Sequence, residues 1–312
     1  MSGSTEHREQ QANATREACM LHTLRHPNIV SFLGVVLTHG TNDIQWIVTE
    51  LADCDLNAYL VQQRELHGGV SYPVVVKCLT HCLLALLYMH SKRPEVMHRD
   101  VKPSNIMVRI SSAGDVEFKL GDVGLATALK IGDSGLVSAS AATTASSVMS
   151  ARGGSASTVV HPAMGGAGVA YTVVGTPVRC MRYFVKYCRW PQVYVAHPSV
   201  CRLLALSLLQ FTAAPEVYGE DGYGVKSDVF SLGVSMAFAV VGFMQRDDGP
   251  LVADPTAKYG ITGRFRMVKD AVALLTPVCP ELATLIKRMT KSDPSARLDT
   301  AAALTMAQDI AG

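Results

Sequence analysis

The sequence has few charged or aromatic residues, few cysteines and no long apolar run. Asp, Glu, Lys and Arg together make up 17% of its 312 residues, aromatic residues make up 6%, and the cysteines number 8. A chain of this length with so few cysteines is not a small disulfide scaffold. No run reaches the roughly 18 consecutive apolar residues of a membrane-spanning helix, and the polar residues 1–16 do not resemble a signal peptide. We therefore expect a cytoplasmic protein in a reducing compartment, without a membrane span.

Charge of neither sign dominates the chain. Lys and Arg number 28 and Asp and Glu 26, which leaves a net charge of +2. This balance does not indicate nucleic acid as a partner, and it leaves the oligomeric state unknown.

Periodicity predicts a chain that begins with a few strands and continues with helices. We expect a short amphipathic helix over 15–24, strands over 29–37 and 44–51, a helix over 74–90 and a hairpin of two short strands around a turn at 112–114. Three later segments have helical character: 225–241, 280–289 and 301–310. This order predicts an α+β fold.

Two stretches do not fit a compact domain. Ala, Ser, Gly and Thr dominate residues 133–170, a composition that buries too little apolar surface to offset the entropy of ordering. Residues 178–210 contain basic side chains and no acidic one. We predict a low-complexity loop for the first stretch and an insertion of separate origin for the second.

The strongest chemical signal is His-Arg-Asp-Val-Lys-Pro-Ser-Asn over 98–105, followed by Gly-Asp-Val-Gly over 121–124. These segments resemble the catalytic and metal-binding loops of the eukaryotic protein kinases. Later segments also match that family in order: Ala-Pro-Glu at 214–216, Lys-Ser-Asp-Val-Phe-Ser-Leu-Gly at 226–233 and Asp-Pro-Ser-Ala-Arg at 293–297. The resemblance implies a two-lobed fold with a small β lobe and a mainly helical large lobe.

The resemblance also implies a chemistry. Phosphoryl transfer is largely positioning and charge stabilisation, so Asp100 would orient the attacking hydroxyl and accept its proton while Lys102 stabilises the transferring phosphate. A Lys at that position is typical of Ser/Thr kinases. Asn105 and Asp122 would hold Mg²⁺, which prefers oxygen ligands. The expected cofactors are ATP and Mg²⁺, and the expected partner is a protein substrate.

Other matched residues would support the site. By resemblance, Glu216 pairs with Arg297, and Asp228 braces the backbone of the catalytic loop. His98 and Arg99 are also expected to be structural residues. Thr172 is a possible phosphorylation site. A phosphate there would order its loop through Arg99, although an unmodified spacer remains the alternative.

A hinge segment is predicted at 47–52, where Thr49 would be the gatekeeper. The backbone of Glu50 and Ala52 would face adenine, and Asp55 would reach the ribose. Glu17 matches the family's glutamate that pairs with the ATP-binding lysine. These segments resemble the tyrosine-kinase-like group of Ser/Thr kinases.

The chain departs from the family at two places. Residues 1–16 contain neither a glycine-rich phosphate loop nor a lysine, so we expect an N-terminally truncated domain whose first methionine is internal to a longer protein. Deleting 178–210 restores the family's spacing between Gly-Thr-Pro at 175–177 and Ala-Pro-Glu. We predict a retained intron there, and a genuine basic insertion that docks a partner is the alternative.

These expectations divide the chain into a disordered start at 1–14, a partial small lobe at 15–52 and a large lobe at 53–310. The predicted function is that of a Ser/Thr protein kinase, impaired by the missing lysine and glycine-rich loop. A pseudokinase or interaction module without catalysis is the alternative. Cys78, His81 and Cys82 have metal-ligand types at helical spacing, but we interpret them as ordinary helix residues because no second pair stands nearby.

Overall fold

The computed structural model describes residues 2–123, 127–128, 211–218, 223–244, 258–260 and 263–312. Among these, residues 2–51 belong to one compact unit and the residues from 52 onward to another. Helices and short antiparallel sheets make up both units, which confirms the α+β class.

The described residues of the first unit form one helix and a two-stranded sheet. Helix α1 (Ser2–Thr23) precedes strands β1 (Phe32–Leu37) and β2 (Ile44–Thr49), which pair antiparallel. The side chain of Gln11 attaches the helix to β2, since its Oε1 accepts from Ile44 N at 2.8 Å and its Nε2 donates to Ile44 O at 3.3 Å. An amide can satisfy a strand-edge backbone in this way because it carries both a donor and an acceptor.

Helix α1 is longer than the sequence predicted. It begins at Ser2 rather than Thr15, so the expected disordered start is wrong for the described part of 1–14. Those residues are polar on every side and give no apolar periodicity, yet Glu, Gln, Arg and Ala among them are good helix formers.

The second unit is organised around a helix that lies wholly in its core. Helix α4 (Lys226–Phe243) is buried from Ser227 to Phe243. Gly233 permits the close approach of its neighbour, because a Cβ there would lie 2.8 Å from Thr290 Cγ2 and 3.0 Å from Met289 Cβ. The other α-helices among the described residues of this unit are α2 (Leu56–His67), α3 (Tyr72–His90), α5 (Arg264–Leu275), α6 (Pro280–Met289) and α7 (Thr300–Ala311).

Short strands in this unit hold the loops that carry the predicted chemistry. Strands β5 (Ile106–Ile110) and β6 (Val116–Leu120) form the predicted hairpin, and β3 (Cys54–Asp55) pairs with β5. Strand β4 (Val96–Met97) pairs with β7 (Thr127–Ala128). The catalytic loop therefore leaves β4 and enters β5, with a sheet at each end.

Within the part of the chain that the structure describes, two helices are long and apolar enough to cross a membrane by composition alone, namely α3 and α4. Half of the apolar window of α3 and 94% of that of α4 are buried inside the protein. Their apolar character is therefore explained by packing in the core.

Candidate functional site

The β5–β6 hairpin places the two predicted metal ligands, Asn105 and Asp122, one on each side of its base. Ile106 pairs with Leu120, so Asn105 and Gly121 are the next residues outward, and Gly121 N donates to Asn105 O at 2.8 Å. Asp122 follows directly. Its φ of 50° lies in the left-handed region, which a non-glycine residue adopts at an energetic cost. Its side chain is exposed.

Asp100 is buried, with 5% of its surface exposed, and its two oxygens differ. Oδ2 accepts from Lys102 Nζ at 2.7 Å and from Asn105 Nδ2 at 2.9 Å. Oδ1 is buried and accepts no hydrogen bond from the described residues. A buried carboxylate oxygen without a donor costs free energy, so this atom is suited to accept a hydrogen bond from a bound molecule.

Asp100 accepts both hydrogen bonds that the amide nitrogen of Asn105 donates. Asn105 Nδ2 donates to the backbone oxygen of Asp100 at 2.9 Å as well as to Oδ2. The amide oxygen is then the atom left to accept or to coordinate. Amide and carboxylate oxygens are ligands that Mg²⁺ prefers, so Asn105 Oδ1 and the Asp122 carboxylate fit that ion.

His98 connects the catalytic loop to the metal-binding loop. Its ring is fully buried, its Nε2 lies 3.0 Å from Gly121 O, and its Nδ1 accepts from Asp100 N at 3.3 Å. One imidazole thus contacts the backbone of Asp100 and of the residue before Asp122. Sequence reasoning proposed His98 as a structural residue without giving it these partners.

Asp228 holds the start of the catalytic loop from helix α4. Its Oδ2 accepts from His98 N at 2.8 Å and its Oδ1 from Arg99 N at 2.8 Å, while His90 Nε2 lies 2.9 Å from Oδ2. Burial raises the pKa of Asp228, but the hydrogen bonds and nearby imidazoles of His90 and His98 outweigh it and leave the pKa below its usual value. The carboxylate therefore stays ionised.

Arg99 has left-handed backbone geometry, with φ 69°. Its guanidinium carbon lies 5.3 Å from the centre of the Tyr223 ring, within the range of a cation–π contact. Its backbone N–H donates the hydrogen bond that Asp228 Oδ1 accepts.

Glu216 and Arg297 form an ion pair across 81 residues of sequence. Arg297 Nη1 donates to Glu216 Oε1 at 2.5 Å and Nη2 donates to Oε2 at 3.0 Å, a bidentate arrangement. The guanidinium also donates from Nη1 to Lys226 O at 3.0 Å, and Lys226 Nζ donates back to Arg297 O at 2.8 Å. Arg297 thereby joins the segment before α7 to the start of α4.

The predicted nucleotide-binding residues are divided between the two units. Glu17, Thr49 and Glu50 are half-buried in the first unit, where Glu50 N donates to Ser31 O at 2.9 Å and Ser31 N donates to Glu50 Oε1 at 2.8 Å. Ala52 and Asp55 belong to the second.

Asp55 caps helix α2, since its Oδ1 accepts from Ala58 N at 2.9 Å. Burial raises its pKa, an effect that the backbone hydrogen bonds from Ala58 and Asn57 oppose. Capping is a role that the sequence reasoning, which assigned this carboxylate to a ribose, did not include.

Several predictions fall outside the described residues. Thr172, the low-complexity loop at 133–170 and the suspected intron at 178–210 all lie there, so each stays a prediction. The helical interpretation of Cys78, His81 and Cys82 agrees with their place in α3, where His81 Nδ1 accepts from Phe118 N at 3.2 Å. Across the described ranges, no three His, Cys, Asp or Glu residues cluster as metal ligands do.

Two residues of the network were missed by the sequence reasoning. His90 Nδ1 lies 2.7 Å from Thr300 Oγ1, while its other nitrogen faces Asp228. These partners stand 210 and 138 residues away in sequence, so no local pattern signals the contact.

Comparisons with known proteins indicate the family that this sequence resembles. Residues 1–150 match the protein kinase domain. A serine/threonine-protein kinase of Arabidopsis thaliana, VIK, is 34% identical over 114 residues, which are 36% of this chain and 24% of that kinase. The chain thus matches about a quarter of that relative's length.

The matched range includes the catalytic loop and Asp122, whereas Glu216, Asp228 and Arg297 lie beyond it. The structure nevertheless bonds Asp228 to the catalytic loop inside that range, so the later motifs belong to the same fold. Residues 1–150 thus carry a protein kinase domain, and the later motifs of the chain resemble those of the eukaryotic protein kinase family.

Proposed function

We propose that this protein transfers the γ-phosphoryl group of ATP to serine or threonine hydroxyls of a protein substrate. The observation that carries the proposal is Asp100 Oδ1, a buried carboxylate oxygen with no donor among the described residues. A substrate hydroxyl would donate to it. The opposite oxygen is held by Lys102 and Asn105, so the carboxylate cannot rotate away without losing two hydrogen bonds.

Each surrounding residue has a defined task in this proposal. Asp100 orients the hydroxyl and accepts its proton as the oxygen attacks phosphorus. Lys102, with 8% of its surface exposed, supplies a positive charge in a partly desolvated place, where it stabilises the transferring phosphoryl group more than it would in water. Its position two residues after Asp100 is the pattern that favours serine and threonine over tyrosine.

Asn105 and Asp122 would hold Mg²⁺, which neutralises phosphate charge in this chemistry. Asn105 offers its amide oxygen because Asp100 engages the nitrogen, and Asp122 offers an exposed carboxylate. The predicted nucleotide contacts of Thr49, Glu50, Ala52 and Asp55 stay predictions that rest on the family resemblance. The hinge and the segment after α1 support an assignment to the tyrosine-kinase-like group.

The purified full chain, incubated with ATP, Mg²⁺ and a mixed library of Ser, Thr and Tyr peptides, tests this function. We expect phosphate on serine and threonine only, and none after Mg²⁺ is chelated. Asp122→Asn should reduce the rate strongly, while Asp115→Asn, which changes an exposed aspartate in the β5–β6 turn, should not. Phosphate on tyrosine, or a rate insensitive to Asp122→Asn, would contradict the proposal.

A second candidate is a pseudokinase or interaction module that binds partners without catalysis. One observation favours it: residues 1–51 contain no lysine, so this segment does not supply the lysine that holds the α and β phosphates in the family. Under this candidate the wild-type chain leaves every peptide of the library unmodified, with or without Mg²⁺.

A further inference from the structure

His90 lies at the point where three helices meet. It ends α3, its Nε2 lies 2.9 Å from Asp228 Oδ2 on α4, and its Nδ1 lies 2.7 Å from Thr300 Oγ1 at the start of α7. His90 is 7% exposed and Thr300 5%. Both contacts are therefore shielded from water. A hydrogen bond left unmade in such a buried place is costly.

The chemistry of the partners determines where the hydrogens lie. An ionised carboxylate can only accept, and Asp228 Oδ2 already accepts from His98 N, so the hydrogen between Asp228 and His90 must be on Nε2. The hydroxyl of Thr300 can donate or accept, and the described residues give its Oγ1 no other hydrogen-bond partner. All polar hydrogens of this group are paired only if Thr300 donates to Nδ1.

We propose that His90 and Thr300 are positioning residues for the phosphoryl-transfer site. Thr300 donates to Nδ1 of a neutral His90 and so fixes the tautomer that carries its hydrogen on Nε2. That hydrogen is donated to Asp228, whose carboxylate holds the backbone of the catalytic loop. Helix α7 is thereby connected to the catalytic loop through side-chain hydrogen bonds.

The hydrogen bond from Thr300 should affect both the catalytic loop and the metal-binding loop. Asp228 accepts from His98 N and Arg99 N, and the His98 ring contacts Asp100 N and Gly121 O. A carboxylate that loses one of its donors is held less firmly. The effect should therefore spread to the backbone of Asp100 without any direct contact between Thr300 and substrate.

The tautomer can be measured directly in the wild-type chain. Two-bond ¹H–¹⁵N correlations of the ¹⁵N-labelled protein should show an unprotonated Nδ1 and a protonated Nε2 for His90. An imidazolium pattern, or a hydrogen on Nδ1 alone, would overturn the proposal. This readout requires neither a variant nor catalytic activity.

Three variants of α7 test whether the Thr300 hydroxyl helps to hold the backbone of the catalytic loop. Thr300→Ser keeps the hydroxyl, Thr300→Val removes it at nearly constant shape, and Thr305→Val is the control because Thr305 is exposed and donates only to Ala301 O within the helix. We expect amide hydrogen exchange at His98 and Arg99 to be about tenfold faster in Thr300→Val, with wild-type rates in the other two. Equal exchange in Thr300→Val and Thr300→Ser would refute the link.

The catalytic consequence rests on the proposed function and is measured separately. Thr300→Val should lower kcat about tenfold with the KM for ATP unchanged, and Thr300→Ser should restore kcat. A fall in kcat that the serine variant does not rescue would count against positioning. A wild-type chain that transfers no phosphate contradicts the proposed function, while the hydrogen-exchange comparison still decides the link between α7 and the catalytic loop.

Discussion

Asp228→Asn should destabilise the second unit far more than its small change in shape suggests. The carboxylate accepts three hydrogen bonds, at 2.8 Å from His98 N, 2.8 Å from Arg99 N and 2.9 Å between its Oδ2 and His90 Nε2. An asparagine at this position that keeps its amide oxygen toward Arg99 N must point its NH₂ group at His98 N and His90 Nε2, which are themselves donors. Two hydrogen bonds to a charged acceptor are lost in a buried place, which predicts a loss of about 3–5 kcal/mol.

Denaturant unfolding followed by circular dichroism measures this loss, with Asp115→Asn as the control because that aspartate is exposed in a turn. The control should change the free energy of unfolding by less than about 0.5 kcal/mol. An Asp228→Asn value within about 1 kcal/mol of the control would refute the reasoning, since a single ordinary hydrogen bond contributes that much.

The difference in free energy of unfolding between wild type and Asp228→Asn should also depend on pH, which provides a second check. The pKa of Asp228 is lower in the folded protein than its ordinary value, so its ionised form contributes stability in full above the unfolded value, about 4. That contribution disappears as the pH falls through the lower folded pKa. The stability gap between wild type and Asp228→Asn should therefore be constant near neutral pH and shrink below about pH 4; a gap that widens in acid would contradict the assignment.

Further substitutions test other parts of the fold. Gly233→Ala should cost about 1–3 kcal/mol in denaturant unfolding, because its Cβ would lie 2.8 Å from Thr290 Cγ2; an unchanged midpoint would show that α6 can move aside. Glu216→Gln leaves the buried charge of Arg297 without its carboxylate and should cost about 3 kcal/mol, measured in the same way, and a neutral result would count against the ion pair. Asp55→Ala removes the cap of α2 and should lower thermal stability by about 1 kcal/mol, whereas Asp55→Asn, which retains a capping oxygen, should not.

The sequence predicted which residues of the catalytic loop lie together because their motif is local. Asp100, Lys102 and Asn105 fall within one eight-residue segment, and the hairpin that follows was evident from two short β-rich runs around a glycine turn. The structure shows why the spacing between the segments matters: a hairpin of that length returns the chain to the base where Asn105 and Asp122 flank the paired strands.

Other elements had weaker signals. The first half of α1 is polar on every side, and its contact with β2 depends on the Gln11 side chain, which no periodicity reveals. Helices α2 and α5 were not predicted, although each has buried apolar residues at helical spacing, such as Leu56, Tyr59 and Leu60 in α2. The link between His90 and Thr300 joins residues distant in sequence, and only the packing of α7 along α3 brings them together.

The most direct measurement is the rate at which wild-type chain and Asp100→Asn, at equal concentration, transfer radioactive phosphate from γ-labelled ATP to protein serine or threonine. The predicted result is transfer by the wild type and a rate lower by about 10²–10⁴-fold in the variant, the usual contribution of a positioned base. Equal rates from the two proteins would contradict the assignment of Asp100 as the residue that receives the substrate hydroxyl.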